Sequence, residues 1–323
     1  MPSSTTWTIR CRAQELVIPH GRPSIAGILN VTPDSFYDGG LYTTRDRARL
    51  QADTLFDGGA AIIDIGGASS RPRGKTYGEG AALVPPELEL ARVLPVVADL
   101  ATYLPEAVLS VDTFHASVAD ACLDAGAHII NDITALRYDP KMADVVANHQ
   151  AAIVLMHSVG MPGEMPHVTD EDDDDRQGSN NRRGGSDRHG NSRGDIVGRV
   201  HEELSEAVER ARAAGIRDIV TDPGFGFGKS VADNFRLIAR LEDHRVDDLP
   251  IMIGVSRKSS IGVVLGEPGF PAPAHNRLFG SLGVTAVGVL RGAAIIRTHD
   301  AAVTNEMLRT LSYTLMPSSP THA

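Results

Sequence analysis

The residues of this chain that could do chemistry stand at the ends of short apolar runs. Eight runs recur, and they finish in Asn30, Asp64, Asp112, Asn131 with Asp132, His157, Asp222, Ser256–Arg257–Lys258, and Arg297 with His299. Carboxylates and amides come from the third, fourth and sixth runs, and cations from the seventh and eighth. The oxygens of Asp112, Asn131 and Asp222 suit the N–H edge of a planar nitrogen heterocycle, while Arg297, His299 and backbone amides suit phosphate oxygens. A nitrogen heterocycle bearing phosphate is the ligand this set implies. No Cys–His or Ser–His pair stands at a recognisable elbow, so positioning and leaving-group stabilisation are expected in place of covalent catalysis. Fold stability does not call for a polar group at nearly every strand end, so the ring reads as a site and not as packing.

The elements that must hold these groups follow from periodicity. The β-rich runs are Ser24–Thr32, Ala61–Gly67, Val108–Thr113, His128–Thr134, Ala152–Ser158, Asp218–Gly224, Pro250–Lys258 and Ala293–Asp300. Helix-compatible segments fill the seven gaps: Arg45–Asp57, Pro86–Leu100, His115–Ala125, Pro140–Asn148, Val197–Ala214, Asn234–Leu241 and Arg277–Leu290. Gly59, Gly126 and Gly215 follow three of these segments and suit left-handed helix ends. Continuous apolar strands are those of a parallel sheet covered by helices. Eight evenly spaced units, with no GxGxxG after the first strand, favour an α/β fold of the (β/α)8 TIM-barrel type over an open doubly wound sheet. Without the 23 residues before the first run, the 26 of Asp170–Asp195 and the last 7, the chain is close to a barrel's usual length, roughly 250 residues.

The 323 residues are 42% hydrophobic and 22% charged, with net charge −10. That composition excludes disordered, collagen-like and disulfide-scaffold classes. An acidic balance argues against nucleic acid or anionic lipid as the partner, since both need a basic surface. Two distant cysteines, Cys11 and Cys122, give neither a disulfide framework nor a zinc site. No signal peptide or membrane span is legible, so a cytoplasmic location is expected. Asp170–Asp195 has no aliphatic or aromatic residue and reads as a solvated, disordered insertion after the fifth strand, on the face that carries the chemistry. The expected organisation is an N-terminal hairpin within 1–23, a single barrel over 24–316 and a tail over 317–323.

The segments GILNVTPDSFYDGG (Gly27–Gly40), DIGGASSRPRG (Asp64–Gly74), SVDT (Ser110–Thr113), NDI (Asn131–Ile133), DPGFGFGK (Asp222–Lys229), SRKS (Ser256–Ser259) and RTHD (Arg297–Asp300) closely resemble dihydropteroate synthase, in that family's order. The resemblance implies a transferase joining 6-hydroxymethyl-7,8-dihydropterin pyrophosphate to p-aminobenzoate, giving 7,8-dihydropteroate and pyrophosphate. It implies that Asp112, Asn131, Asp222 and Lys258 bind the pterin, with Arg297 stacked on it and Met156 lining the slot. Asp112, Lys258 and Arg297 would carry the catalysis. Asn30 resembles the family's Mg2+-contacting residue, and Asn30, Ser69, Arg71, Arg297 and His299 resemble its pyrophosphate-binding set. Ser70, Pro72, Phe227, Ser256 and Arg257 resemble the residues around p-aminobenzoate, whose carboxylate would lie near the Ser256 hydroxyl. The family also implies that the N-terminal hairpin closes the barrel bottom and that the apolar Asn276–Leu290 segment, with a neighbouring helix, forms a homodimer contact.

The second loop departs from the family's GGESTRPG: Ala68 stands for the acid and Ser70 for the Thr. Two other readings follow, a non-catalytic pterin-binding paralogue and a pterin-binding methyltransferase domain serving a corrinoid protein. The latter has no need of NVTPDSF, Lys258–Ser259 or RTHD. Some residues have plainer readings. Asp64 and Asp132 suit loop capping as well as ligand contact, His157 reads as a structural histidine, and His115 as a surface group. Phe225 and Phe227, in a GFGFG loop, are expected to face solvent or ligand.

Overall fold

A computed structural model of the chain describes residues 6–12, 14–19, 21–32, 44–68, 83–161 and 195–315. Of the expected site residues, Ser69, Ser70, Arg71 and Pro72 lie outside these, as do Asp34, Ser35 and Phe36, the insertion up to 194, and the tail.

The barrel strands are β3 (Ser24–Asn30), β4 (Ala60–Gly66), β5 (Val108–Asp112), β6 (Ile129–Asp132), β7 (Ala152–Met156), β8 (Ile219–Asp222), β9 (Ile251–Ile253) and β10 (Ala293–Thr298). All pair in parallel, and β10 pairs with both β9 and β3 to close the ring. The expected closed eight-stranded barrel is therefore the observed one. Around it run α1 (Thr44–Asp57), α2 (Pro86–Tyr103), α3 (Ala116–Asp124), α4 (Met142–Asn148), α5 (Ile196–Ala213), α6 (Val231–Ala239), α7 (Ser259–Leu265), α8 (Leu278–Leu290) and α9 (Ala301–Leu315). Gly59, Gly126 and Gly215 all have positive φ. The α7 helix was not legible in sequence because its Ser-Ser-Ile-Gly start lies within two residues of the SRK turn. The expected helix at Asn234 begins three residues earlier, where the Ser230 hydroxyl accepts from the Asp233 amide and caps α6. Strand seven is shorter than expected, ending at Ile253, so Ser256–Lys258 stand on a turn beyond it.

Alternation along each strand sorts the core into layers. Outward residues such as Ile63, Ile65, Leu109, Val111, Ile130, Ile153 and Leu155 pack under the helices. Inward residues Ala26, Ile62, Val108, Ile129, Val154, Val220, Met252 and Ile295 fill the lower barrel. The hairpin of β1 (Trp7–Cys11) and β2 (Gln14–Ile18) adds Ile9, Cys11, Leu16 and Ile18 to that inner cluster. It plugs the N-terminal end of the barrel, and the Trp7 indole N–H donates to the Asp248 carbonyl 2.7 Å away. Both cysteines are buried and free. Among the described residues no helix is long and apolar enough to cross a membrane.

Candidate active site

Two or four residues above the inward apolar layer, the same alternation delivers the side chains of the barrel mouth, all polar but Met156. Ile62 is followed by Asp64, Val108 by Ser110 and Asp112, Ile129 by Asn131, Val154 by Met156, Val220 by Asp222, and Ile295 by Arg297. Aligned backbones place Asn30 beside Gly66, Gly66 beside Asp112, and Asp112 beside Asn131. Gly66 leaves a gap there. A Cβ at that position would lie 3.7 Å from Asn30 Oδ1 and 3.9 Å from Asp112 Oδ2.

Arg297 is the hub of the mouth. Its Nε donates to Asp64 Oδ2 at 2.6 Å and its Nη2 to Asp112 Oδ2 at 2.7 Å. Asp64 also accepts from the Ser110 hydroxyl at 2.6 Å and from Asn131 Nδ2 at 3.3 Å. Burial works against the guanidinium charge, but Asp64 and Asp112 more than offset it and hold Arg297 above its ordinary pKa. Burial raises the Asp112 carboxyl above the usual carboxylate range, with Arg297 opposing. The side-chain oxygen Oδ1 of Asn131 is buried without a hydrogen-bond partner. A buried acceptor left unmatched costs about 1–3 kcal/mol, and a ligand N–H can remove that cost.

Opposite stand Asp222 and Lys258. Burial raises Asp222, with Lys258 opposing, and its Oδ1 accepts from the Gly224 amide at 2.7 Å. Lys258 Nζ donates to the Phe225 carbonyl and lies 4.2 Å from the centre of the Phe227 ring. Burial lowers its pKa to about 7, with Asp222 opposing. Phe227 joins Phe114, Ile133 and Met156 in an apolar cluster at the mouth. The expectation for Phe225 is corrected: it is fully buried in the main core, edge-on to Phe235 at 5.7 Å. Phe227 is also buried, and its face is taken by the Lys258 ammonium. The loop's turns bury both rings and aim the carbonyls of Gly224, Phe225 and Phe227 at the Lys229 and Lys258 ammoniums, with the Phe227 ring under Lys258 as well.

The rim is formed by the seventh and eighth strand ends. Ser256 Oγ lies 3.1 Å from His299 Nδ1 and also accepts from the His299 amide. His299 is exposed there; the surrounding protein, and then the nearby Arg297, push it below its ordinary pKa. Arg257, at φ 54°, forms a two-pronged ion pair with Asp300, at 2.8 and 2.6 Å. Ser281 Oγ accepts from the Arg257 amide, and buried Arg277 donates to its carbonyl, so α8 and the turn before it fix that left-handed residue.

Asp132, one residue out of phase with Asn131, faces away from the barrel interior and caps the following turn through Thr134 and Leu136. His157 is likewise out of phase. It is buried, with Nε2 3.2 Å from Glu203 Oε2 of α5 but out of line for a hydrogen bond, and burial lowers its pKa to about 4. His115 is corrected from surface group to buried partner of Glu89, Nδ1 to Oε2 at 2.7 Å, because α2 packs on the start of α3. Sequence reasoning also missed Ser110, Glu89, Arg277 and Ser281, and it assigned no role to Lys229; the period-two alternation marks Ser110, and no local pattern marks the others. Among the described residues no cluster of three or more His, Cys, Asp or Glu could by itself hold a metal ion.

Comparisons with known proteins bear on the chain as a whole. The family model for pterin binding enzymes matches residues 26–299. Dihydropteroate synthase of Escherichia coli K12 is 37% identical over 305 residues, covering 94% of this chain and 95% of that protein. A Haloferax volcanii protein named as a probable bifunctional folylpolyglutamate synthase/dihydropteroate synthase is 39% identical over 279 residues, which are 86% of this chain and 29% of that longer protein. The solved structure of Xanthomonas albilineans dihydropteroate synthase with 4-aminobenzoic acid superposes with a TM-score of 0.79 at 37% identity, covering 98% of this chain and all of that one.

Proposed function

The chain belongs to the pterin-binding enzyme family, and from that premise we propose that its barrel mouth performs the dihydropteroate synthase reaction. In that reaction 6-hydroxymethyl-7,8-dihydropterin pyrophosphate and p-aminobenzoate give 7,8-dihydropteroate and pyrophosphate. The observation that carries the site assignment is the unmatched Asn131 acceptor, set between the carboxylates of Asp112 and Asp222. An aminopyrimidinone edge presents N–H donors to Asp222 and Asn131, and the Lys258 ammonium donates to its carbonyl or ring nitrogen. Met156 lines the slot, and Arg297, already fixed by two carboxylates, lies over the heterocycle.

The C–O bond to pyrophosphate breaks first, and positive character develops on the pterin methylene, delocalised into the ring. Asp112 and nearby Asp64 stabilise it electrostatically in a site with little water. The arylamine nitrogen then forms the new C–N bond and loses its proton. Arg297 and His299, with Asn30, Ser69 and Arg71, take the pyrophosphate. Ser70, Pro72, Phe227, Ser256 and Arg257 take p-aminobenzoate, its carboxylate near the Ser256 hydroxyl. Arg257 is held by Asp300, so its contact is through the guanidinium edge or the stem.

The oxygens of Asn30 and Asp112 that flank the bare Gly66 fit a hard cation, since Mg2+ prefers oxygen ligands and keeps several from water and phosphate. Asn30 would contact it, and the ion would make pyrophosphate a better leaving group. The homodimer and the cytoplasm complete the proposal. Phe279, Val287 and Leu290 of α8 are exposed, and Leu278, Leu282, Val303, Met307 and Leu311 line a groove between α8 and α9 that suits a second copy of this chain.

The test is pyrophosphate release from the purified protein with dihydropterin pyrophosphate, with and without p-aminobenzoate and Mg2+, following dihydropteroate in parallel. Coupled release, abolished in Lys258→Ala and Asp222→Ala, is expected. Pterin binding with no dihydropteroate would move the assignment to a non-catalytic paralogue, and the first reversion to make would be Ala68→Glu.

A further inference from the structure

We propose that Lys229 is a positioning residue of the heterocycle site: its buried ammonium gathers the carbonyls of His157, Gly224 and Phe227 and so fixes the loop that holds the Asp222 carboxylate and carries Phe227. The inference rests on the pterin reading of that site and deepens it.

The loop DPGFGFG turns through three glycines with positive φ, at Gly224, Gly226 and Gly228, and such turns crowd carbonyl oxygens together. Lys229 Nζ lies 2.8 Å from Gly224 O, 3.1 Å from His157 O and 3.3 Å from Phe227 O. An ammonium has three donors and no acceptor, so this cradle satisfies it fully. Two of the carbonyls belong to the loop, whereas His157 follows β7. The side chain therefore stitches the loop after β8 to the neighbouring strand end. The packing is close: a Cβ at Gly224 would lie 1.8 Å from His157 O, and one at Gly228 would lie 2.6 Å from Val159 O. No residue but glycine fits at either position, so the loop is packed tightly against the residues that follow β7.

Displacement of the loop would reach the ligand-facing groups directly. Gly224 N donates to Asp222 Oδ1, so the position of Gly224 sets the carboxylate. Phe225 O accepts from Lys258, and the Phe227 ring lies under that same ammonium. Asn234 anchors the far side, accepting from Gly226 N at 2.6 Å and donating to the carbonyls of Lys229 and Ser230. Lys229 and Lys258 thus grip one loop from two sides, and only Lys258 is open to the mouth.

Charge points the same way. The groups facing Lys229 are Asp222, Lys258, Arg199 and Glu203, with His157 alongside. Burial disfavours its charge, and Asp222 is the leading group that supports it. Reciprocally, Lys229 is one of three cations, with Lys258 and Arg297, that favour ionised Asp222 against burial.

The experiment compares intact wild type, Lys229→Gln, Lys229→Met and Lys229→Arg by amide hydrogen exchange and by steady-state kinetics across pH. In the Gln and Met variants the amides of Gly224, Gly226 and Phe227 should exchange at least about tenfold faster while β3–β6 keep their protection, because a buried stitch has been cut locally. The KM for the pterin substrate should rise about tenfold or more. The acid limb of kcat/KM should move up by about 0.5–1 pH unit, since a cation near Asp222 is gone. Lys229→Arg keeps the charge but not the compact head, so it should keep the acid limb and still raise KM. Wild-type exchange in 224–227 together with wild-type KM in Lys229→Gln would overturn the proposal. Should neither neutral variant fold, a wild-type KM in Lys229→Arg would overturn it. Failure of wild type to bind pterin or form dihydropteroate would sink the functional reading instead, and the exchange comparison would still decide whether Lys229 holds the loop.

Discussion

Replacing Asp64 with Asn isolates the charge that holds Arg297. Asp64 is 2% exposed, and its two oxygens accept from Ser110 Oγ at 2.6 Å, Arg297 Nε at 2.6 Å and Asn131 Nδ2 at 3.3 Å. An Asn with its oxygen toward Arg297 and Asn131 and its amide toward Ser110 can re-form all three bonds without the charge. Hydrogen bonds to charged groups contribute about 1.5–3 kcal/mol against about 1 for neutral ones. Three such differences sum to about 3 kcal/mol, with Arg297 still paired to Asp112. For a chain of this length each kcal/mol lowers Tm by about 1.5–2 °C, so Asp64→Asn should melt about 4–6 °C lower. Asp64→Ala leaves three buried donors unmatched and belongs with broken buried ion pairs, at about 3–5 kcal/mol. It should melt lower still and lose most dihydropteroate formation, since Arg297 is freed to move. The assay is thermal melting by circular dichroism with turnover measured beside it. A Tm for Asp64→Asn within about 2 °C of wild type would refute the view that Arg297 is fixed from this carboxylate.

Three further outcomes are expected. Lys258, lowered to about 7 in the free enzyme, donates its stronger, charge-assisted bond to the pterin only as the ammonium, so kcat/KM for the pterin substrate should fall as pH rises through about 7; in Lys258→Arg that limb should vanish below pH 9, and an unchanged limb would clear Lys258 of the role. His157 and His244 are buried with pKa lowered to about 4 from 6.5. The unfolded chain therefore binds more protons between those values, and stability is full above about pH 6.5 and lost as pH falls toward 4. The urea midpoint should drop from pH 7 to pH 5, and His244→Gln, remote from the mouth, should make the drop smaller; an equal drop would count against the assignment. Phe279 is 83% exposed on α8, so Phe279→Asp should shift the protein from dimer to monomer in sedimentation velocity, and a wild-type monomer at micromolar concentration would remove the proposed contact.

The sequence by itself determined the alternation of strands and helices, hence a helix-covered parallel sheet, because continuous apolar strands must be covered on both sides, and the eight even units favoured its closure into a barrel. It also determined most of the mouth. Asn30, Asp112, Asn131, Asp222, Lys258 and Arg297 are marked by their place at the ends of the apolar runs, and period-two alternation separates inward Asp64 and Asn131 from outward Asp132 and His157. The barrel's own geometry decided the rest. Arg297 meets an aspartate 233 residues away, and no local pattern records that meeting. Asp64 therefore read equally well as a cap until closure of β10 on β3 brought the guanidinium to it. Phe225 and Phe227 read as facing solvent or ligand because the loop looked too open to bury them, yet Phe235 packs edge-on to Phe225, and Phe114, Ile133 and Met156 cluster with Phe227. His115 and Glu89 pair only because α2 and α3 pack side by side. Lys229 looks like an ordinary surface lysine after a glycine-rich turn. Its place in the core follows from carbonyls that the backbone turns together, and a side-chain pattern says nothing about where carbonyls point.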